Sequence, residues 1–162
     1  MLIASIITSG IMLAVSALTL NGTASNSTWI ELEADKNKPI PITDVRCMHL
    51  TVLEDYAAVA KKRMIEWGES GHKVRPGSHV VKFFPENSTD SMAWIVCNMK
   101  LFGRDPLPRN ELNQAEDEII SQCGRMESGR VFSRKWNKEY IMAPHSWYFK
   151  ALWKGGGVCR HG

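Results

Sequence analysis

The sequence lacks the motifs that would announce an enzyme. It has no Gly-x-Ser-x-Gly elbow, no His-Glu-x-x-His pair and no glycine loop shaped to cradle a phosphate, so serine-hydrolase, zinc-protease and nucleotide-binding chemistry have no anchor in it. Cysteine is sparse. Cys47, Cys97, Cys123 and Cys159 stand dozens of residues apart with no Cys-x-x-Cys pair, which argues against a tetrahedral zinc site. No internal repeat or low-complexity tract is present, which points to one packed domain rather than an array. Negative charge is scarce at the C-terminal end: from Arg125 onward only Glu127 and Glu139 face Arg125, Arg130, Arg134, Lys135, Lys138, Lys150, Lys154 and Arg160. The modest net charge of +3 hides this asymmetry, and the last quarter reads as the surface that meets anions.

Charge is missing altogether from the first seventeen residues, an apolar run that ends in the small-x-small triplet Val15-Ser16-Ala17. That pattern predicts a secretory signal peptide cleaved after Ala17, with Gly22-Thr23-Ala24 as the second choice. A membrane anchor is the weaker reading, because no basic stop-transfer cluster follows. In an oxidising compartment an even number of cysteines favours two disulfides. The sequons at Asn21, Asn26 and Asn87 become glycan acceptors there. The chain thus divides into a signal peptide (1–17), a polar arm (18–41) ending in Lys38-Pro39-Ile40-Pro41, and one globular domain (42–162).

Within the domain, composition predicts a strand over 42–50 and then a helix. Thr51 and Glu54 have the spacing of a capping box, apolar residues recur at Leu53, Tyr56, Ala57, Ala60, Met64 and Trp67, and Gly68 supplies a stop. Strands follow over 78–84 and 91–99, joined by a hairpin loop that carries Asn87; the second is apolar on both faces and belongs inside the sheet. Asn110 is placed to cap a second helix along Leu112, Ala115, Ile119 and Cys123, ended by Gly124. The remainder reads as strands over 130–133, 139–143 and 146–154, the last with Trp147, Phe149, Ala151 and Trp153 alternating with Ser146, Tyr148, Lys150 and Lys154. Two amphipathic helices bury their faces most simply on one side of a single sheet. The expected fold is therefore α+β: a two-layer α/β sandwich of split β-α-β type, βαββαβ plus an extra C-terminal strand, with both helices on one face of an antiparallel sheet.

Four cysteines allow three pairings. In this layout the second helix starts near the end of the Cys97 strand and finishes about 20 Å away, while bridged Cα atoms must lie within about 7 Å. Cys97 and Cys123 are then too far apart, and Cys47–Cys123 with Cys97–Cys159 is the favoured pairing.

Two groups of residues could carry function. His49 and His79, with Glu54 or Glu86, have the chemistry of a general acid/base pair such as a small secreted ribonuclease uses; histidines satisfied within strands are the preferred reading. Cys159-Arg160-His161 makes only a poor metal tail. The better candidate is the basic, aromatic C-terminal segment, where Arg134, Lys135, Lys138, Lys150 and Lys154 interleave with Trp136, Tyr140, Trp147, Tyr148 and Trp153. Cations neutralise phosphate or sulfate while rings stack or sit at a membrane interface.

The run Trp94-Ile95-Val96-Cys97-Asn98, a helix ending Ile119-Ile120-Ser121-Gln122-Cys123-Gly124, then Ser128-Gly129-Arg130 and Trp136-Asn137-Lys138-Glu139-Tyr140 resembles a pattern in small secreted proteins of filamentous fungi. That group includes candidate plant-pathogen effectors and relatives of killer toxins and necrosis-inducing factors, and the similarity spans residues 45–143. It implies a secreted, disulfide-bonded α/β sandwich acting outside the producing cell. The expectation is a monomeric, non-enzymatic effector, without cofactor or metal, that binds a host protein, glycan or membrane component rather than nucleic acid. A killer-toxin-like antimicrobial or channel-directed toxin is the alternative, and a ribonuclease-like hydrolase the second alternative.

Overall fold

A computed structural model describes residues 38–86, 88–155 and 157–159. The expected signal peptide, the arm up to residue 37, and Asn21, Asn26 and Asn87 lie outside the described residues. The chain order is β1 (Asp44–Thr51), α1 (Glu54–Glu69), β2 (Ser78–Phe84), β3 (Met92–Asn98), α2 (Arg109–Cys123), β4 (Glu127–Ser133), β5 (Lys138–Pro144) and α3 (His145–Trp153). The strands form one sheet in the order β1-β4-β5-β3-β2, and every neighbouring pair is antiparallel. The unit β3-α2-β4 is split, because β5 lies between its two strands. The packed domain begins slightly earlier than expected: Ile40 is buried in the core, and its backbone N–H donates to Gln114 Oε1 at 2.7 Å.

Both predicted helices cover the same face. α1 turns Ala57, Ala60, Met64 and Ile65 inward, and α2 turns Leu112, Ala115 and Ile119. They meet Met92, Trp94 and Val96 of β3 together with Val131, Tyr140 and Met142. Alternation sends Ala93, Ile95 and Cys97 to the opposite face, where they join Ile141, Ala143, Tyr148 and Val158. Every residue of β3 is therefore buried, as its unbroken apolar run requires.

Three local expectations are corrected. Residues 146–154 do not add a strand; His145–Trp153 is helical. Both positions beside β5 are taken by β3 and β4, so the chain leaving it finds no partner strand there, and a helix satisfies its backbone internally. Tyr148, not its odd-numbered neighbours, is the buried residue. The Thr51 capping box does not form. β1 continues through an irregularity so that Thr51 still pairs with Glu127, Leu53 becomes the cap position without a side-chain bond, and Glu54 meets Arg125 instead at 3.1 Å. Nor does Asn110 cap α2, since the helix starts at Arg109 with extended Pro108 before it.

Gly68 is not the cap of α1, which ends one residue later at Glu69 with Ser70 in the cap position. A Cβ at Gly68 would lie 2.3 Å from the Leu107 carbonyl oxygen, so glycine permits a close backbone approach between α1 and the segment leading into α2. The two effects of Gly68→Ala have opposite signs. Helix propensity alone predicts a gain of about 1 kcal/mol, whereas overpacking against backbone predicts a net loss of about 1–3 kcal/mol. Urea unfolding is expected to show the loss, and a stabilised variant would contradict the contact.

Candidate binding surface

Two disulfides brace the sheet from opposite faces, in the pairing favoured from the sequence. Cys47–Cys123 joins edge strand β1 to the end of α2 with a Cα separation of 5.3 Å. Cys97–Cys159 holds the C-terminal tail to β3 with a Cα separation of 5.8 Å. Beside it the tail carbonyl of Val158 accepts a hydrogen bond from Arg130 Nη2 at 3.1 Å. Arg130 also pairs with Glu139 at 2.7 Å and lies over the Trp147 ring. Burial raises the Glu139 carboxyl above its ordinary range, and the Arg130 charge opposes that rise. Cys159, committed to its bridge, is not a metal ligand, and the described residues contain no group of three or more metal-binding side chains.

The two candidate histidines do not converge. His49 is on β1 and His79 on β2, the two edges of the five-stranded sheet, which puts about 19 Å between them across the sheet alone, at four strand spacings. His49 is exposed and its Nδ1 lies 3.0 Å from Glu127 Oε2. His79 Nε2 lies 3.0 Å from the Tyr148 hydroxyl. Their proposed carboxylate partners are engaged elsewhere, Glu54 with Arg125 and Glu86 with Arg63. The fold does not bring His49 and His79 into one acid/base site.

Of the five candidate cations, four are on the surface. Arg134 and Lys135 stand exposed in the β4–β5 turn, and Lys150 and Lys154 project from the last turns of α3. Lys138 is removed from the surface. Its residue is 2% exposed, and its Nζ donates to Glu111 Oε2 at 2.5 Å and to the Pro106 carbonyl at 2.7 Å. Tyr140 donates to the same carboxylate oxygen at 2.5 Å, and burial, reinforced by the Glu111 charge, holds its phenol well above the ordinary range. Sequence reasoning missed this network. The available signal was the i, i+2 spacing of Lys138 and Tyr140, which puts both on the β5 face turned toward α2. A cleft of about 650 Å³ lies against Glu111 and is lined also by His72, Arg104 and Leu107.

The face of α3 turned away from the sheet is apolar and open. Trp153 is 93% exposed, and Phe149 and Leu152 are nearly half exposed. Phe149 rests on His145 and Phe83, with ring centroids 4.3 and 6.3 Å away. These exposed apolar side chains stand beside the exposed Lys150 and Lys154. Comparison with known proteins finds no matching family model and no matching curated protein.

Two predictions follow from the buried groups. Glu111→Ala strands the Lys138 ammonium in the core and is expected to remove about 3–5 kcal/mol of stability, much of which Lys138→Met restores in the double variant; calorimetry of the three proteins checks this, and equal losses in single and double variants would contradict it. Burial also holds His79 and His145 below the ordinary 6.5. The unfolded chain then takes up protons that the folded chain refuses, so this contribution is complete above about pH 6.5 and declines as acid carries the solution below it. The raised Glu139 carboxyl has the opposite slope, at the more acidic carboxyl end of the range. Urea midpoints are expected to fall between about pH 7.5 and about pH 5.5, and to fall less in His79→Gln; an unchanged fall would contradict the assignment.

Proposed function

We propose that the chain is a secreted, non-enzymatic binding domain of the effector type, which acts by engaging a host protein, glycan or membrane component as a monomer. The observation that carries this reading is the near-complete exposure of Trp153 beside Phe149, Leu152, Lys150 and Lys154 on a doubly bridged scaffold. Such a display opposes solubility and persists where contact requires it. The two disulfides support secretion. Among the described residues no helix is long and apolar enough to cross a membrane. The separation of His49 from His79 weighs against a ribonuclease-like reading, and a channel-directed toxin would use the same cationic face.

Lys150→Glu/Lys154→Glu reverses charge at two solvated positions, and is expected to leave circular dichroism unchanged while weakening capture of host-extract components by tenfold or more, on the order of 1 kcal/mol per charge. A folded variant with undiminished capture and activity would remove α3 from the binding surface. Cys97→Ser is expected to abolish activity through unfolding, with a loss of about 2–5 kcal/mol. Activity retained in a folded reduced variant would contradict that dependence.

A further inference from the structure

Strand register gathers scattered basic segments at one end of the sheet. Ser78 pairs with Asn98, Asn98 with Lys138, and Lys138 with Ser133, so β2 and β5 begin where β3 and β4 finish. Three connections emerge there side by side, at 70–77, 99–108 and 134–137. They are fastened to one another by backbone bonds: Val74 and Asp105 exchange two at 2.8 and 2.9 Å, Gly77 N–H donates to the Lys100 carbonyl at 3.1 Å, and Met99 N–H to the Asn137 carbonyl at 2.8 Å. α3 starts at the other end, where His145 N–H donates to the Ser91 carbonyl. It then runs back across the sheet, since Tyr148 already reaches His79, the partner of Cys97. Its last turn, with Trp153 and Lys154, is directed toward the same basic end.

This end is cationic without compensation. Lys73, Arg75, Arg104, Arg134, Lys135 and Lys154 are all exposed, and none belongs to any of the ion pairs formed by the described residues. The antiparallel Val74–Asp105 bridge sets Arg75 opposite Arg104 in register, a juxtaposition of like charge that is unfavourable by itself. The nearby acids are already matched: the buried Asp105 by Lys100 at 2.6 Å and Glu111 by Lys138 at 2.5 Å, and the more exposed Glu69 by Arg109 at 2.9 Å and Asp44 by Arg46 at 2.8 Å. At the opposite end the balance reverses: Glu54, Asp55, Glu86, Asp90 and Glu127 outnumber Arg63 and Arg125, both of which are paired there. Bulky apolar side chains follow the cations. The three most exposed of them in the described chain are Trp153 (93%), Leu101 (86%) and Phe102 (85%), and Leu101 and Phe102 form the tip of the loop between Lys100 and Arg104.

We infer that this end of the domain docks onto an anionic lipid bilayer. The inference deepens the binding reading above and rests on it. A bilayer satisfies both features at once: acyl chains receive Leu101 and Phe102, the interfacial region receives Trp153, and anionic headgroups neutralise the surrounding lysines and arginines. A polyanion such as a sulfated glycan or a nucleic acid would use the cations and leave Leu101 in water. The association is peripheral, with the sheet standing end-on to the surface and the acidic end pointing away.

The test is co-sedimentation of the full disulfide-intact protein with vesicles of equal parts phosphatidylcholine and phosphatidylserine, against pure phosphatidylcholine. Binding is expected only to the anionic vesicles, weakening as salt is raised. Arg75→Glu/Arg104→Glu and, separately, Leu101→Ser/Phe102→Ser are each expected to lower partition on the order of tenfold with circular dichroism unchanged. Absence of binding to anionic vesicles would overturn the inference, as would binding indifferent to Leu101→Ser/Phe102→Ser, which marks adhesion by charge alone. If vesicles fail while capture from host extract still depends on Lys150 and Lys154, a protein or glycan is the partner; the membrane inference falls and the binding reading stands. If vesicles bind as expected but host-directed activity is unaffected by the same substitutions, the effector reading falls and the membrane surface stands.

Discussion

Insertion of β5 between β3 and β4 is the constraint on which the rest of this structure depends. The chain makes β3, crosses by α2, makes β4 and only then returns to fill the gap, with Met92 opposite Pro144 and Asn98 opposite Lys138. That register decides three separate things. It turns Lys138 and Tyr140 under α2, where the Glu111 carboxylate can serve both. It carries the chain out of the sheet's middle at Pro144, so that His145–Trp153 has no edge to extend and folds as a helix across the free face. It also sets the 134–137 turn beside Met99, which brings Arg134 and Lys135 next to the Leu101–Phe102 loop. A shift by one residue would invert every side chain of β5 and undo the first and third together.

The two disulfides act on the parts of the fold that this insertion leaves weakest. β1 is an edge strand, and its bridge to Cys123 closes a separation of 76 residues; the described residues of the tail beyond α3 have no strand partner, and the bridge to Cys97 closes 62. In a chain-entropy account each closure stabilises by about 4 kcal/mol, which is large against a typical net stability of about 5–15 kcal/mol. The buried ion pairs have a different role. Their attraction is offset by desolvation of both partners, so Glu111–Lys138 and Arg130–Glu139 are better understood as fixing which residues face each other across α2, β4 and β5 than as the source of stability.

Much of the architecture was legible from local pattern. β2 and β3 fall over the residues read as strands, β3 along its unbroken apolar run, and α2 ends at Gly124 as its spacing predicts. A length argument about α2 excluded one of the three cysteine pairings, and of the two that remained the favoured one forms. What local pattern misread shares a cause, because in each case a distant residue decides. The alternation at Trp147, Phe149, Ala151 and Trp153 suits a strand, and only the lack of a free edge beside β5 makes it a helix. Gly68 looks like a stop until Leu107 is brought against it. Lys138 looks like a surface cation until Glu111, far from it in sequence, reaches its ammonium. The basic end itself comes from four segments that no window of sequence joins; the C-terminal share was visible as charge, whereas Lys73, Arg75 and Arg104 gained meaning only from strand register.

The central claim is that these four segments form one contact face. Hydrogen exchange in the presence and absence of vesicles containing phosphatidylserine tests it most directly, because it reports each segment separately in the unaltered protein. The account predicts slowed exchange together at 71–77, 99–105, 134–137 and 150–154, with none at 85–91 or 124–127, at the acidic end of the sheet. Protection limited to 150–154, or appearing at the acidic end, would contradict it.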